Sequence, residues 1–99
     1  MPIRSTTKFT RPNTGVAWYE SSSDFKAHSK STYEDTNKKT AVATDNKKNT
    51  TVWTVITDFA DATAKSEWDN DSSVKSMLAE RRTYNIANNI TVERTVENI

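Results

Sequence analysis

One stretch of the chain, residues 50–59, combines β-branched and aromatic side chains with no Gly or Pro, which is the composition of a buried β-strand. Apolar side chains occur at its odd-numbered positions, Trp53, Val55 and Phe59, and also at its even-numbered positions, Val52 and Ile56. Because alternate side chains of a strand point to opposite faces, both faces of the sheet have apolar surface to bury. The stretch therefore predicts a central strand with helices on one face and a second cover on the other.

Shorter patterns predict three further strands. Residues 3–10 and 90–97 alternate apolar and polar side chains, as half-buried strands do. Residues 40–44 form a short strand, and the turn residues at 45–49 join it to the central strand as a hairpin. Residues 16–19 are either another short strand or an extended segment that lays its tryptophan across one end of the core.

Helical periodicity predicts one helix over residues 22–37 and a broken helix over residues 60–69 and 73–88. The inner face of the first helix is unusually polar: Phe25, His28, Ser29, Thr32, Tyr33 and Thr36. The inner face of the last is more apolar but includes an arginine: Val74, Met77, Leu78, Arg81 and Asn85. Asn89 follows this segment and is expected to end the helix in place of a glycine.

The element order strand, helix, strand, strand, broken helix, strand predicts an α+β fold of the ferredoxin-like βαββαβ type. In that fold a four-stranded antiparallel sheet carries the helices on one face. The 99 residues allow a single domain spanning 1–99, but only 33% of them are hydrophobic. Since the other face of the central strand is also apolar, we expect a second copy to cover it in a homodimer joined sheet to sheet.

The charge balance and the residue counts argue against several classes of function. A net charge of +1 gives no large positive field, so nucleic acid is not an expected partner. Without cysteine, and with one histidine that lacks ligand-spaced carboxylates, the sequence predicts no metal site and no cofactor. No leader-like or membrane-spanning apolar run occurs, so we expect a cytoplasmic protein with no membrane partner.

Two polar residues on the predicted inner faces are candidates for chemistry. His28 is either a hydrogen-bonded core residue or a catalytic acid or base. Arg81 either makes a structural ion pair or backbone hydrogen bonds, or it contacts an anion or a carbonyl group in a pocket. Because the two helical regions lie side by side on one face of the sheet, we expect His28, Arg81 and Asn85 to form one polar cluster.

The strand at residues 51–59, the break at 69–71, and the run 81–85 leading into 89–92 resemble the dimeric α+β barrel superfamily. That superfamily includes small antibiotic-biosynthesis monooxygenases, haem-degrading enzymes and many uncharacterised bacterial and marine environmental proteins. The resemblance implies an architecture more than an activity. Its haem degraders typically place a ligating histidine on the second helical region, where this chain has none, so no haem is implied.

Two functions remain open at this point. The first is a homodimeric binding module that holds a small organic ligand between the helices and the sheet. The second, implied by the resemblance, is a cofactor-independent monooxygenase or related isomerase acting on an aromatic or enolisable substrate, so whether the chain is an enzyme is left open. A closed apolar cavity on which the three clustered polar side chains converge would favour the second. The ligand-binding candidates are His28, Trp53, Trp68, Arg81, Tyr84 and Asn85.

Overall fold

The computed structural model describes residues 1–42 and 50–99. In these ranges four strands form one antiparallel sheet: β1 Ile3–Thr10, β2 Lys39–Val42, β3 Val52–Phe59 and β4 Thr91–Asn98. Their order across the sheet is β2-β3-β1-β4, so β3 and β1 are interior strands and β2 and β4 are its edges. The four predicted strands are confirmed, while the predicted end of β2 and the turn after it, residues 43–49, lie outside the described residues.

Between the strands of the described chain lie three α-helices: α1 Ser23–Ser29, α2 Ala62–Asn70 and α3 Ser72–Ala87. α1 continues as a π-helical segment, Lys30–Glu34. There the Asp35 N–H donates to the Lys30 carbonyl at 2.8 Å, a five-residue spacing that a pattern of 3.6 residues per turn does not predict. The single helix expected over residues 22–37 is therefore an α-helix followed by a wider turn.

Aspartate side chains fix where α2 and α3 begin. The Asp61 carboxylate accepts a hydrogen bond from the Ala64 N–H at 2.8 Å. Asp71 follows α2 directly and caps α3, accepting from the N–H groups of Ser73 and Val74 at 2.8 and 3.2 Å. The Asp71 side chain thus sets the break between α2 and α3, and the sequence had predicted a break at this place.

α3 ends in a left-handed turn that leads into the edge strand β4. Asn89 has a φ of 56°, a conformation that glycine favours and asparagine tolerates. The Ile90 N–H donates to the Asn85 carbonyl at 2.8 Å and closes the last turn of the helix. The predicted role of Asn89 is confirmed, and the turn places the first residues of β4 beside the end of α3.

The helices cover one face of the sheet. That face carries the odd-numbered side chains of β1 and β3, with Phe9 opposite Trp53, and the even-numbered side chains of β4. Phe9, Trp18 and Ile90 form a buried hydrophobic cluster on it. Residues 16–19 form no strand, and Trp18, only 8% exposed, packs into this cluster as the extended alternative predicted.

The opposite face of the sheet carries no helix of the described chain. Its side chains are mostly threonines and charged residues, and its aliphatic members are Val42, Val52 and Ile56. Arg4 of β1 and Asp58 of β3 form an ion pair on this face, with Nε 2.8 Å from Oδ1. Element order and sheet together describe a small α+β fold that is compatible with a ferredoxin-like fold.

Candidate functional site

A groove of about 460 Å³ lies between α3 and β4, and we call it the outer groove. Its wall combines aliphatic side chains with arginines and one amide: Leu78, Ile86, Ile90 and Val92 with Arg81, Arg82, Arg94 and Asn85. Ile86 is 67% exposed and Val92 is 45% exposed, so the mouth of the groove is open and apolar. β4 is an edge strand, and its helix-facing residues Val92 and Arg94 form one wall of the groove.

A smaller space of about 80 Å³, the inner chamber, lies between the sheet and the helices α2 and α3. The sheet contributes hydroxyl groups to it from Ser5, Thr7 and Thr57. Arg81, Arg94 and Leu78 line both the inner chamber and the outer groove, so these residues border both spaces. The rest of the inner chamber is mixed, with apolar side chains such as Phe59 and Met77 beside the Lys65–Asp69 ion pair.

Arg81 is half-buried, and its guanidinium carbon lies 5.0 Å from the centre of the Phe9 ring. The Arg81 side chain makes no hydrogen bond or ion pair with any residue in the described ranges. Burial, and to a smaller extent the nearby charge of Arg94, lowers the pKa of Arg81 from 12.5 to about 10. The charged form of this side chain is therefore costly in the folded protein.

Asn85 is a second polar group of the outer groove. The residue is only 4% exposed, and its side-chain amide forms no hydrogen bond within the part of the chain that the structure describes. Arg81 and Asn85 are four residues apart on α3, which places them on the same face of the helix. The side-chain amide of Asn85 is not among the fully buried polar atoms that lack a partner, so it reaches the solvent of the groove and is open to a ligand beside Arg81.

Arg94 completes the positive end of the site and comes from the sheet. It lies opposite Thr7 in the β1–β4 register, and its Nε donates to the Thr7 hydroxyl at 3.3 Å. Arg94 was not among the site residues predicted from the sequence. Its position in β4 could have identified it, because Arg94 is two residues after Val92 and therefore lies on the same, helix-facing side of the strand.

The sequence-predicted residues divide among several environments. Arg81 and Asn85 line the outer groove together, and Trp68 lines the inner chamber. Trp53 instead packs in the core, with its ring centre 5.3 Å from that of Phe9. Tyr84 donates its hydroxyl proton to the Ala17 carbonyl at 2.6 Å, which ties α3 to the extended segment.

His28 lies apart from the arginines. It lines a different pocket of about 330 Å³ between α1 and α3, which we call the His28 pocket. Its Nε2 is 2.7 Å from Asp71 Oδ2, at the first turn of α3. Asp71 and Arg81 are ten residues apart, or about 15 Å along the helix axis. The structure therefore does not bring His28 into one cluster with Arg81 and Asn85.

Asp71 is a structural junction that holds α1 and its π-helical extension against the start of α3. Oδ2 accepts hydrogen bonds from the Tyr33 hydroxyl and from His28, both at 2.7 Å. Burial raises the pKa of Asp71, but the hydrogen bonds from Tyr33, His28 and the N–H groups of the capped turn outweigh it and lower the value to about 2. Burial and the bond to Asp71 raise the pKa of Tyr33 to about 12.

Within the described residues, no group of three or more His, Asp or Glu side chains is arranged to hold a metal ion. None of the helices described is both long enough and apolar enough to cross a membrane. The fold is compatible with the predicted resemblance to dimeric α+β barrels, which stays a prediction from the sequence.

Comparison of the chain with protein-family models, curated proteins and solved structures finds no match.

Proposed function

We propose that the protein is a non-catalytic binding module that holds a small organic anion between α3 and β4. The observation that carries this proposal is the Arg81 guanidinium, which is half-buried and makes no hydrogen bond or ion pair with a described residue. A guanidinium has five N–H donors, and burying it without acceptors costs several kcal/mol. A carboxylate offsets that cost, because it accepts two parallel hydrogen bonds and neutralises the charge.

The rest of the outer groove supports an anion over a cation. Arg82 and Arg94 add positive charge, and no carboxylate is present among the described residues that line the groove. The Asn85 amide offers N–H donors beside Arg81. An anion entering here meets donors and positive charge from both α3 and β4.

The open groove and the position of His28 support binding over the monooxygenase-like alternative. Catalysis of that kind needs a general acid or base near the substrate, usually in a site that excludes water. The side chains that line the outer groove are aliphatic groups, arginines and one amide, and none of these is a neutral-pH base. His28 is engaged at Asp71 in another pocket.

The proposal also includes a homodimer of the dimeric α+β barrel type, joined through the helix-free faces of two sheets. That face has aliphatic side chains on β2 and β3, including Val52 and Ile56. It also has charges of both signs, such as Lys8 opposite Glu93. When two copies pack through this face around a two-fold axis, the apolar side chains can contact each other and the acidic side chains can pair with basic ones.

Titration with acetate, followed by NMR of the side-chain N–H groups, tests the anion site. We expect saturable shifts of the Arg81 Nε–H and of the Asn85 amide in the native protein. Arg81→Met should abolish the Asn85 shift, while Lys75→Met, an equal charge change at an exposed position on α3, should keep it. If acetate, benzoate and phosphate all leave both groups unmoved, the proposed function is wrong.

Light scattering tests the dimer. The expected mass is about twice the 11.2 kDa of one chain. Ile56→Asp on the helix-free face should lower it to the monomer mass, because a desolvated unpaired charge costs several kcal/mol at an interface. Ile86→Asp, the same change on the exposed side of α3, should leave the mass unchanged. A native protein of 11.2 kDa with the expected circular dichroism contradicts the dimer.

A further inference from the structure

We infer that the ligand is an amphipathic monocarboxylate, with its head group against Arg81 and Arg94 and its hydrocarbon tail along Ile86 and Val92. This inference rests on the proposed function and adds the chemical class of the ligand. It follows from the order in which polar and apolar side chains line the site. Arg81 and Arg94 line both spaces, whereas the aliphatic residues Ile86, Ile90 and Val92 line only the outer groove.

The head group is best matched by a planar carboxylate. One face of the Arg81 guanidinium is directed toward the Phe9 ring, with the guanidinium carbon 5.0 Å from the ring centre. Its N–H groups point outward in the guanidinium plane, where a carboxylate can accept two of them at once. The Asn85 amide supplies a further donor, and it has no partner among the described residues. A neutral head group would leave the charge of Arg81 uncompensated.

The tail is matched by the apolar mouth of the outer groove. Ile86 is 67% exposed and Val92 is 45% exposed, next to the half-buried Leu78 and the buried Ile90. Exposed aliphatic side chains beside a binding site gain from contact with a hydrocarbon chain. Burial of one methylene in an open groove should strengthen binding about two- to fourfold, since full burial is worth about 0.8 kcal/mol.

The test is a calorimetric and NMR titration with straight-chain carboxylates from acetate to octanoate, below their micelle concentrations, together with hexanol. We expect the dissociation constant to fall about two- to fourfold per methylene beyond butanoate. We expect hexanol to bind at least tenfold more weakly than hexanoate, because it cannot pair with the arginines.

Two valines of β4 provide a matched pair of variants. Val92→Thr keeps the shape of a side chain that lines the groove but replaces one methyl group by a hydroxyl, and it should flatten the dependence of affinity on chain length. Val96→Thr, the same change on the same face of β4 but outside the lining of the groove, should leave that dependence intact. Acetate should still shift Arg81 in both variants.

The outcomes separate the inference from the proposed function. If acetate shifts Arg81 and Asn85 but octanoate binds no more tightly, the amphipathic ligand is wrong and the anion site stands. Hexanol that binds as tightly as hexanoate contradicts the paired head group. If no carboxylate shifts Arg81, both the inference and the proposed function fail.

Discussion

Replacement of Arg81 by methionine should stabilise the unliganded protein, although it removes a large side chain from α3. The Arg81 pKa of about 10, against 12.5 for an ordinary arginine, corresponds to a penalty of about 3 kcal/mol for the charged form in the folded state. Because the folded pKa is the lower one, this penalty is fully present at neutral pH and is relieved only as pH rises above about 10. Loss of the contact with Phe9 costs about 1 kcal/mol. Methionine also covers the ring, so the expected net gain is about 1 to 2 kcal/mol.

Urea unfolding, followed by tryptophan fluorescence at neutral pH, measures this difference. Arg81→Met should unfold at a higher urea concentration with an unchanged slope, because the surface exposed on unfolding changes little. Lys75→Met is the control, and its stability should change by less than about 0.5 kcal/mol, as is usual for an exposed position. A loss of more than about 1 kcal/mol for Arg81→Met would show instead that the guanidinium already has its hydrogen-bond partners without a ligand.

Three further predictions concern residues outside the groove. The ionised Asp71 carboxylate should stabilise the fold above its unfolded pKa of 3.8, and this stabilisation should be lost as pH falls to its folded pKa of about 2. Urea midpoints measured from about pH 4 to about pH 2 should therefore drop less in Asp71→Asn than in the native protein. Trp53→Ala should cost about 3 kcal/mol in the same assay, because the ring packs on Phe9 and Trp18; a loss under about 1 kcal/mol contradicts a structural role. Asn89→Ala should lower the thermal midpoint and Asn89→Gly should not, since only glycine adopts its φ of 56° without strain.

The parts of the fold that follow from local patterns were predictable. The stretch at residues 50–59 contains β3 Val52–Phe59, and the predicted inner face of α3 includes the buried residues Val74, Met77 and Asn85. These predictions hold because strand alternation and helical periodicity decide which side chains share a face. The π-helical segment was not predictable in this way, because no local residue pattern marks its five-residue hydrogen bonds.

The composition of the site was only half predictable, for a physical reason. Periodicity identifies the face of a helix but not the level at which a neighbouring element crosses it. His28 meets α3 at its first turn, at Asp71, whereas Arg81 lies more than two turns further along. Arg94 joins Arg81 because β4 is hydrogen-bonded to β1 in a register that sets Arg94 opposite Thr7. That register is a long-range property, which the pattern within β4 does not contain.

The most direct test of the proposed ligand site is the set of nuclear Overhauser effects between bound hexanoate and the side chains of the isotope-labelled protein. We expect contacts from the C2 protons of hexanoate to the N–H groups of Arg81 and Asn85, and from its terminal methyl group to the methyl groups of Ile86 and Val92. Contacts only to residues of the His28 pocket, such as Tyr19, would contradict it.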